Sequence, residues 1–256
     1  RKTLFIVLVL CSLFFAVAFG GVKAEAATFA GVGETECGDL TYSISKEGHL
    51  KITGEGEGYS RNKVGSLYLP FWYEYKDNIE TAEVSVKGIT NMTHMFYGLT
   101  KLESVVFKNT DTRNVTYMDN MFDGCTSLKS LDLSGLDTRN VTDMESMFRG
   151  CSSLETLVVK GQNFSTANVE NMTNMFSGCE KLQSLDVSGF DTGKVTHMWC
   201  MFCDCKALET LDLRSFDTSN VTWMAAMFSG CSNLETVILG NKFNAKNVET
   251  MQNMFQ

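Results

Sequence analysis

LETLDLRSFDTSNVTWMAAMFSGC, running from Leu208 to Cys231, is one copy of a unit that the chain repeats from Ile89 to its end. Its Met-x-x-Met-Phe core falls at Met92/Met95/Phe96, Met118/Met121/Phe122, Met144/Met147/Phe148, Met172/Met175/Phe176, Met198/Met201/Phe202, Met224/Met227/Phe228 and Met251/Met254/Phe255. The step is 26 residues, lengthened once to 28 and once to 27. A fixed period of this size marks stacked units, each too small to bury its own apolar face. The expected fold class is an α/β repeat. It is a leucine-rich-repeat-like right-handed solenoid with a parallel sheet on one side and short helices on the other, preceded by a small β-rich N-terminal cap.

Within each unit the first half spaces its apolar residues as a short strand does. Leu128/Leu131/Leu133, Leu154/Leu157/Val159, Leu182/Leu185/Val187, Leu208/Leu211/Leu213 and Leu234/Val237/Leu239 share the pattern L-x-x-L-x-L. Asp137-Thr138, Asp191-Thr192 and Asp217-Thr218 then make a turn. The extra residues of the two longer copies fall between strand and turn, at 160–164 and 240–243, where the register survives them. The second half changes period. Val141, Met144, Met147 and Phe148 share one face of a predicted short helix, with Thr142 and Glu145 as its capping box and Gly150 as its left-handed stop. The Asn-x-Ser/Thr triplets at Asn91, Asn114, Asn140, Asn163, Asn171 and Asn220 are read as the chemistry that starts those helices.

Ahead of the repeats, three segments are expected. Residues 1–26 read as a secretory signal peptide: Arg1 and Lys2, an apolar run from Leu4 to Phe19, and Ala24-Glu25-Ala26 before the cut. Residues 27–88 read as a β-rich cap, with a hairpin in which Tyr42 and Ile44 face Leu50 and Ile52 across Lys46-Glu47-Gly48. The aromatic patch from Leu69 to Tyr75 reads as the plug over the first rung, against a weaker reading as a ligand-stacking surface. Residues 89–256 are the solenoid, about six and a half repeats, C-terminally incomplete. No transmembrane segment is expected in the mature chain. The 256 residues carry a formal charge of -8 with no basic run, which argues against nucleic acid or an anionic membrane as partner.

The recurring LDLSxxDTxxVTxMxxMFxGCxxL, together with Cys37-Gly38-Asp39, the stretch from Gly48 to Gly54 and Pro70-Phe71-Trp72-Tyr73, resembles the BspA-like leucine-rich-repeat surface proteins. That resemblance implies a secreted or cell-surface protein that adheres to extracellular proteins or glycoproteins such as host matrix components. It carries over no binding residue.

Candidate sites follow from the columns that stacking creates. On the expected concave sheet face, Ser130, Thr156, Ser184 and Thr210 form one outward column, Asp132, Asp186 and Asp212 a second, and Lys160 and Arg214 border it. They read equally as a protein- or glycan-binding face and as a solvated face. Cys125, Cys151, Cys179, Cys205 and Cys231 occupy one inward column, shared with Leu99, and read as small buried hydrophobes. Cys200 and Cys203 break the repeat at positions expected to face solvent, so a local or intermolecular disulfide, inert thiols, or a metal site with His197 and Cys205 all stay open. Neither a cofactor nor a metal is assigned. Three scattered histidines, with no triad, carboxylate pair or phosphate loop, give no enzyme. The expected function is binding, most simply adhesion. The alternative is a structural spacer displaying a further domain.

Overall fold

The computed structural model describes residues 29–59 and 61–256, so the expected leader lies outside the described residues. The chain starts with three antiparallel strands, β1 (Val32–Cys37), β2 (Leu40–Ile44) and β3 (His49–Glu55), with Tyr42 opposite Ile52 and Ile44 opposite Leu50. Alternation buries Leu40, Tyr42, Ile44, Leu50 and Ile52 on one face. Gly48 closes the β2–β3 turn at φ +78°, donating its N–H to Ser45; a Cβ there would meet the Asn78 carbonyl at 2.1 Å, so only glycine fits. A second hairpin, β4 (Arg61–Val64) and β5 (Leu67–Pro70), leads into one 3₁₀ turn, Phe71–Tyr75.

The repeats add strands in parallel. β6 (Thr81–Lys87) lies between β3 and β7 (Ser104–Phe107), so the cap and the first rungs share one five-stranded sheet, β1-β2-β3-β6-β7. Further along, β8 (Ser130–Asp132) pairs with β9 (Thr156–Val158), and β10 (Thr210–Leu213) with β11 (Thr236–Leu239), each one repeat out of step. Leu182–Val187 has the same apolar spacing but forms no strand, which parts the ladder between the two pairs.

The second half of the unit corrects the expected fold class. Among the described residues the 3₁₀ turn at Phe71–Tyr75 is the only helical element, and the expected layer of short helices and the right-handed solenoid built on it are not what forms. Each Met-x-x-Met-Phe segment is a run of tight turns: Met147 N–H bonds to the Met144 carbonyl, Arg149 to Ser146 and Cys151 to Phe148, three residues back each time. Between them sit left-handed residues, Ser146 at φ +53° and Gly150 at φ +70°, which break any α-helical run. The remaining N–H groups leave the rung altogether. Met144, Ser146, Phe148 and Gly150 donate to the carbonyls of Asn171, Thr173, Met175 and Ser177 one repeat on. The capping box does not form either: Thr142 Oγ1 donates to the Thr116 carbonyl, and the Glu145 carboxylate accepts from Asn171 Nδ2. The asparagines serve turns rather than helix starts, Asn171 Oδ1 accepting from Thr173 N–H and Asn140 Nδ2 donating back to Arg113.

Every rung repeats this pattern, and the core follows it. Phe96, Phe122, Phe148, Phe176, Phe202, Phe228 and Phe255 stack ring on ring with centroids 5.1 to 5.9 Å apart. The methionines from Met92 to Met227 are buried beside them. Trp72 covers the first rung, its Nε1–H donating to the Met95 carbonyl at 2.8 Å, while Tyr59 Oη donates to Thr93 at 2.6 Å. In the next rung the matching carbonyls, Met121 and Asp119, receive the backbone N–H groups of Phe96 and His94. Two aromatic side chains thus supply the donors that a preceding rung would have given, which is the plug reading of the patch.

A buried threonine fastens each turn to the next rung. Thr192 Oγ1 donates to the Asp217 carbonyl at 2.9 Å and accepts the Asp217 N–H at 2.8 Å; Thr112, Thr138, Thr166 and Thr218 do the same. Removing the hydroxyl leaves a buried donor and acceptor without partners. Thr192→Val therefore loses about 2–4 kcal/mol in denaturant unfolding, whereas Thr192→Ser, which keeps both bonds, loses about 1 kcal/mol or less. Far-ultraviolet circular dichroism of the folded chain should show no helical double minimum; a strong one would contradict the turn ladder.

Candidate functional site

The sheet-face residues picked out by sequence divide into two groups. Ser130, Asp132 and Thr156 lie on the β8–β9 pair, where Ser130 is opposite Thr156 and Asp132 opposite Val158. Ser184, Asp186, Thr210 and Asp212 gather around a shallow recess of about 300 Å³, which also takes in Ser188. It opens where Leu182–Val187 fails to pair, so the parted ladder and the recess have one origin. Lys160 forms an ion pair with Asp186, and Arg214 with Asp212, so both cations belong to the same neighbourhood.

The aspartates have work of their own. Asp132, Asp186 and Asp212 each accept, through Oδ1, the N–H two residues on, from Ser134, Ser188 and Arg214 at 2.8, 3.1 and 3.1 Å. These are Asx turns that end each strand segment. Lys160 and then Ser188 hold the Asp186 carboxyl down to about 2. Arg214 lowers Asp212 in the same way, and Ser134 lowers Asp132. The face is therefore ionised and internally paired, with exposed ion pairs that add little stability and leave hydrogen-bonding capacity toward solvent.

The cysteine column is buried, and each thiol has a partner. Cys125, Cys151, Cys179, Cys205 and Cys231 donate Sγ–H to the carbonyls of Phe96, Phe122, Phe148, Phe176 and Phe202 at 2.9 to 3.3 Å. Burial pushes the thiols of Cys125, Cys151, Cys179 and Cys205 far above their ordinary range, and that of Cys231, half-buried, to about 11.

Cys200 and Cys203 are joined as a disulfide across a turn whose Cys203 N–H bonds to the Cys200 carbonyl at 3.1 Å. Only Cys200 is partly exposed. Cys203 is buried, contrary to the expectation that both positions face solvent; in the same column Asp123 is buried against Arg149, which is itself exposed. Cys203 Sγ also lies 2.9 Å from the Ala226 carbonyl. The suggested metal set is not brought together: His197 packs on Trp223, Cys205 points to Phe176, and no group of three or more metal-binding side chains converges among the described residues.

The exposed aromatics are Tyr68 on β5, Phe255 in the last rung and, on the turn side, Tyr117, Trp199 and Trp223. The two tryptophans escaped the sequence reading, which compared cysteines against their repeat counterparts but not the aromatic residues. No helix among the described residues is long and apolar enough to cross a membrane.

Two outcomes are expected of the thiols. A small alkylating reagent should label Cys231 before Cys125, Cys151, Cys179 or Cys205, which should react only on unfolding. Reducing the disulfide should cost at most roughly 2 kcal/mol for so short a loop, with the fold retained, as followed by thermal melts with and without reductant.

No curated protein matches the chain. Among solved structures, a leucine rich cell surface protein from Faecalibacterium prausnitzii A2-165 aligns over 81% of this chain and 94% of its own, at 12% identity and a TM-score of 0.26. A leucine-rich repeat protein from Eubacterium ventriosum ATCC 27560 aligns over 84% and 91%, at 13% identity and a TM-score of 0.24. Neither superposes closely enough to inform the reading of this chain. The sequence model of the family described as "Mycoplasma protein of unknown function, DUF285" matches residues 70–183 and 157–256, everything from Pro70 onward, and the chain belongs to that family.

Proposed function

We propose that this protein is a secreted or cell-surface binding protein that adheres to extracellular proteins or glycoproteins through its repeat surface. The observation that carries this reading is the division of labour within each rung. Stacking is done by backbone ladders, buried threonines and the Phe and Met columns, so outward positions other than the turn-forming aspartates can vary at little cost to the fold. On the sheet face that freedom has produced a recess with Ser184, Asp186, Ser188, Thr210 and Asp212 around it, a mixed-charge, hydroxyl-rich contact surface for a protein partner. The expected leader and the likeness of the repeat motif to BspA-like surface proteins support an extracellular setting. The role proposed is binding and not catalysis: His49, His94 and His197 sit on different rungs, His49 bonded to Thr81 and His197 to Thr196.

The test is capture of matrix glycoproteins such as fibronectin and fibrinogen by the purified chain on a sensor surface. Because the aspartate Oδ1 atoms hold Asx turns, the matched variant is Asp132→Asn/Asp186→Asn/Asp212→Asn, which keeps an acceptor at each turn and removes only the charge. Saturable capture, weakened about tenfold or more in the variant at an unchanged melting temperature, is the expected result. No capture of any member would favour the spacer.

A further inference from the structure

On the turn side, two columns flank the first Met of each core. The column before that Met runs Asn91, Tyr117, Asp143, Asn171, His197, Trp223 and Thr250, with a lone ring at the second rung and two in succession at the fifth and sixth; the column after it runs Thr93, Asp119, Glu145, Thr173, Trp199, Ala225 and Gln252, with its ring at the fifth. The backbone does not change with them. The parallel bridges Asn91–Tyr117, Tyr117–Asp143, Asp143–Asn171, Asn171–His197, His197–Trp223 and Trp223–Thr250 continue unbroken, and Asn174 N–H bonds to the Trp199 carbonyl just as Asn120 does to Glu145. Stacking requires neither tryptophan.

Their exposure is correspondingly high. Trp199 is 44% and Trp223 50% exposed, in a chain whose third tryptophan, Trp72, is fully buried. Trp199 is flanked along its column by the short side chains of Thr173 and Ala225. The His197 ring packs 5.7 Å from the Trp223 ring and is held by Thr196 Oγ1 at 2.8 Å from Nδ1. Thr196 and Thr222, each half-buried beside the rings, donate their hydroxyl hydrogens to the Glu170 and Thr196 carbonyls of the preceding rung and keep their oxygens as acceptors. No carboxylate or ammonium stands in these columns on the two rungs, although the chain as a whole carries -8.

We infer that Trp199, Trp223 and His197 form a binding platform for a neutral glycan, a surface separate from the sheet-face recess. Half-exposed indoles offer a broad apolar face together with an N–H donor, which matches a pyranose ring: a C–H face to stack and hydroxyls around its rim. The hydroxyl oxygens of Thr196 and Thr222, as acceptors, and the imidazole of His197 meet those rim groups. An anionic saccharide would find no counter-ion in these columns and would meet Glu170 and Glu249 at the two ends of the Thr196–Thr222 column. A protein hot spot would instead require a desolvated pocket around its anchors, and the rings stand on an open surface. The Cys200–Cys203 disulfide closes the turn that follows Trp199 directly and so fixes the backbone that carries it. The inference rests on the reading of the array as an extracellular binding protein and specifies part of what it binds.

The experiment uses the full chain with soluble cellohexaose, chitohexaose, laminarihexaose and mannohexaose, read by tryptophan fluorescence and calorimetry. At least one should bind saturably, and Trp199→Ala and Trp223→Ala should each weaken it about tenfold or more while the melting temperature stays put. No change with any hexaose, or undiminished binding in the double variant, overturns the platform. Glycoprotein capture separates this inference from the broader one. Capture that falls after enzymatic deglycosylation and in the double variant supports the platform; capture that survives both overturns it and leaves the adhesive reading standing.

Discussion

The structure depends on one interaction above all, the ladder of backbone hydrogen bonds by which alternate residues of each Met-x-x-Met-Phe segment donate to the next rung. Met118, Asn120, Phe122 and Gly124 give their N–H groups to Asp143, Glu145, Met147 and Arg149, and the same four bonds recur at every step. The ladder works only if the segment is kept from closing on itself as a helix, where those donors would be used internally. The left-handed residue between the two methionines achieves this. The period is fixed for the same reason, since a residue added inside the ladder would put every later donor opposite the wrong carbonyl. The two longer copies insert theirs at 160–164 and 240–243, beyond the turn segments, and the phenylalanine stack passes both without a gap.

This explains what could be read from the sequence. The period, the apolar strand halves, the turn at Asp-Thr and the burial of the cysteine column all follow from residue spacing, because burial itself has that spacing. The helices did not follow, although Val141, Met144, Met147 and Phe148 fit a helical face. Consecutive tight turns also return the chain to one side every three or four residues, so apolar periodicity does not separate the two. The discriminating signal was polar. Asn120, Asn174 and Asn253 sit at φ +55°, +55° and +60°, and asparagine tolerates that region where most residues resist it. Asparagine at three of the seven positions of that column, four residues ahead of a column of glycine, points to alternating left-handed turns, and neither residue favours a helix interior.

The candidate site was legible residue by residue but not in its shape. Ser184, Asp186, Thr210 and Asp212 were named from their column, yet nothing in the apolar pattern of Leu182, Leu185 and Val187 announces that this rung leaves the strand ladder. The aspartates show a related limit. Their recurrence is explained by Asx turns at the ends of strands, so a repeated acidic residue in such an array is first a turn and only then a surface charge. The informative positions on a repeat are those where the residue changes while the backbone does not.

By that criterion the fifth rung stands apart for structural reasons as well. It places Cys200 at φ +53° where Asn120 and Asn174 stand in other rungs, and Asp204 at φ +56° in the column otherwise held by Gly98, Gly124, Gly150, Gly178 and Gly230. Asp204 puts a Cβ into a left-handed conformation that glycine adopts freely, and Cys200 lacks the short polar side chain that lets asparagine tolerate it. Both still make their ladder bonds, Cys200 to Ala225 and Asp204 to Ser229, at 3.0 and 2.8 Å. The covalent link from Cys200 to Cys203 spans the turn between these two strained positions, and it narrows the conformations open to the unfolded segment. The rung that replaces its glycine thus also carries a covalent link that no other rung among the described residues has. The neighbouring Gly230 shows how tightly the column is packed there: a Cβ on it would meet the Asp204 carboxylate at 2.3 Å, so the departure at rung five can be tolerated only while rung six retains its glycine.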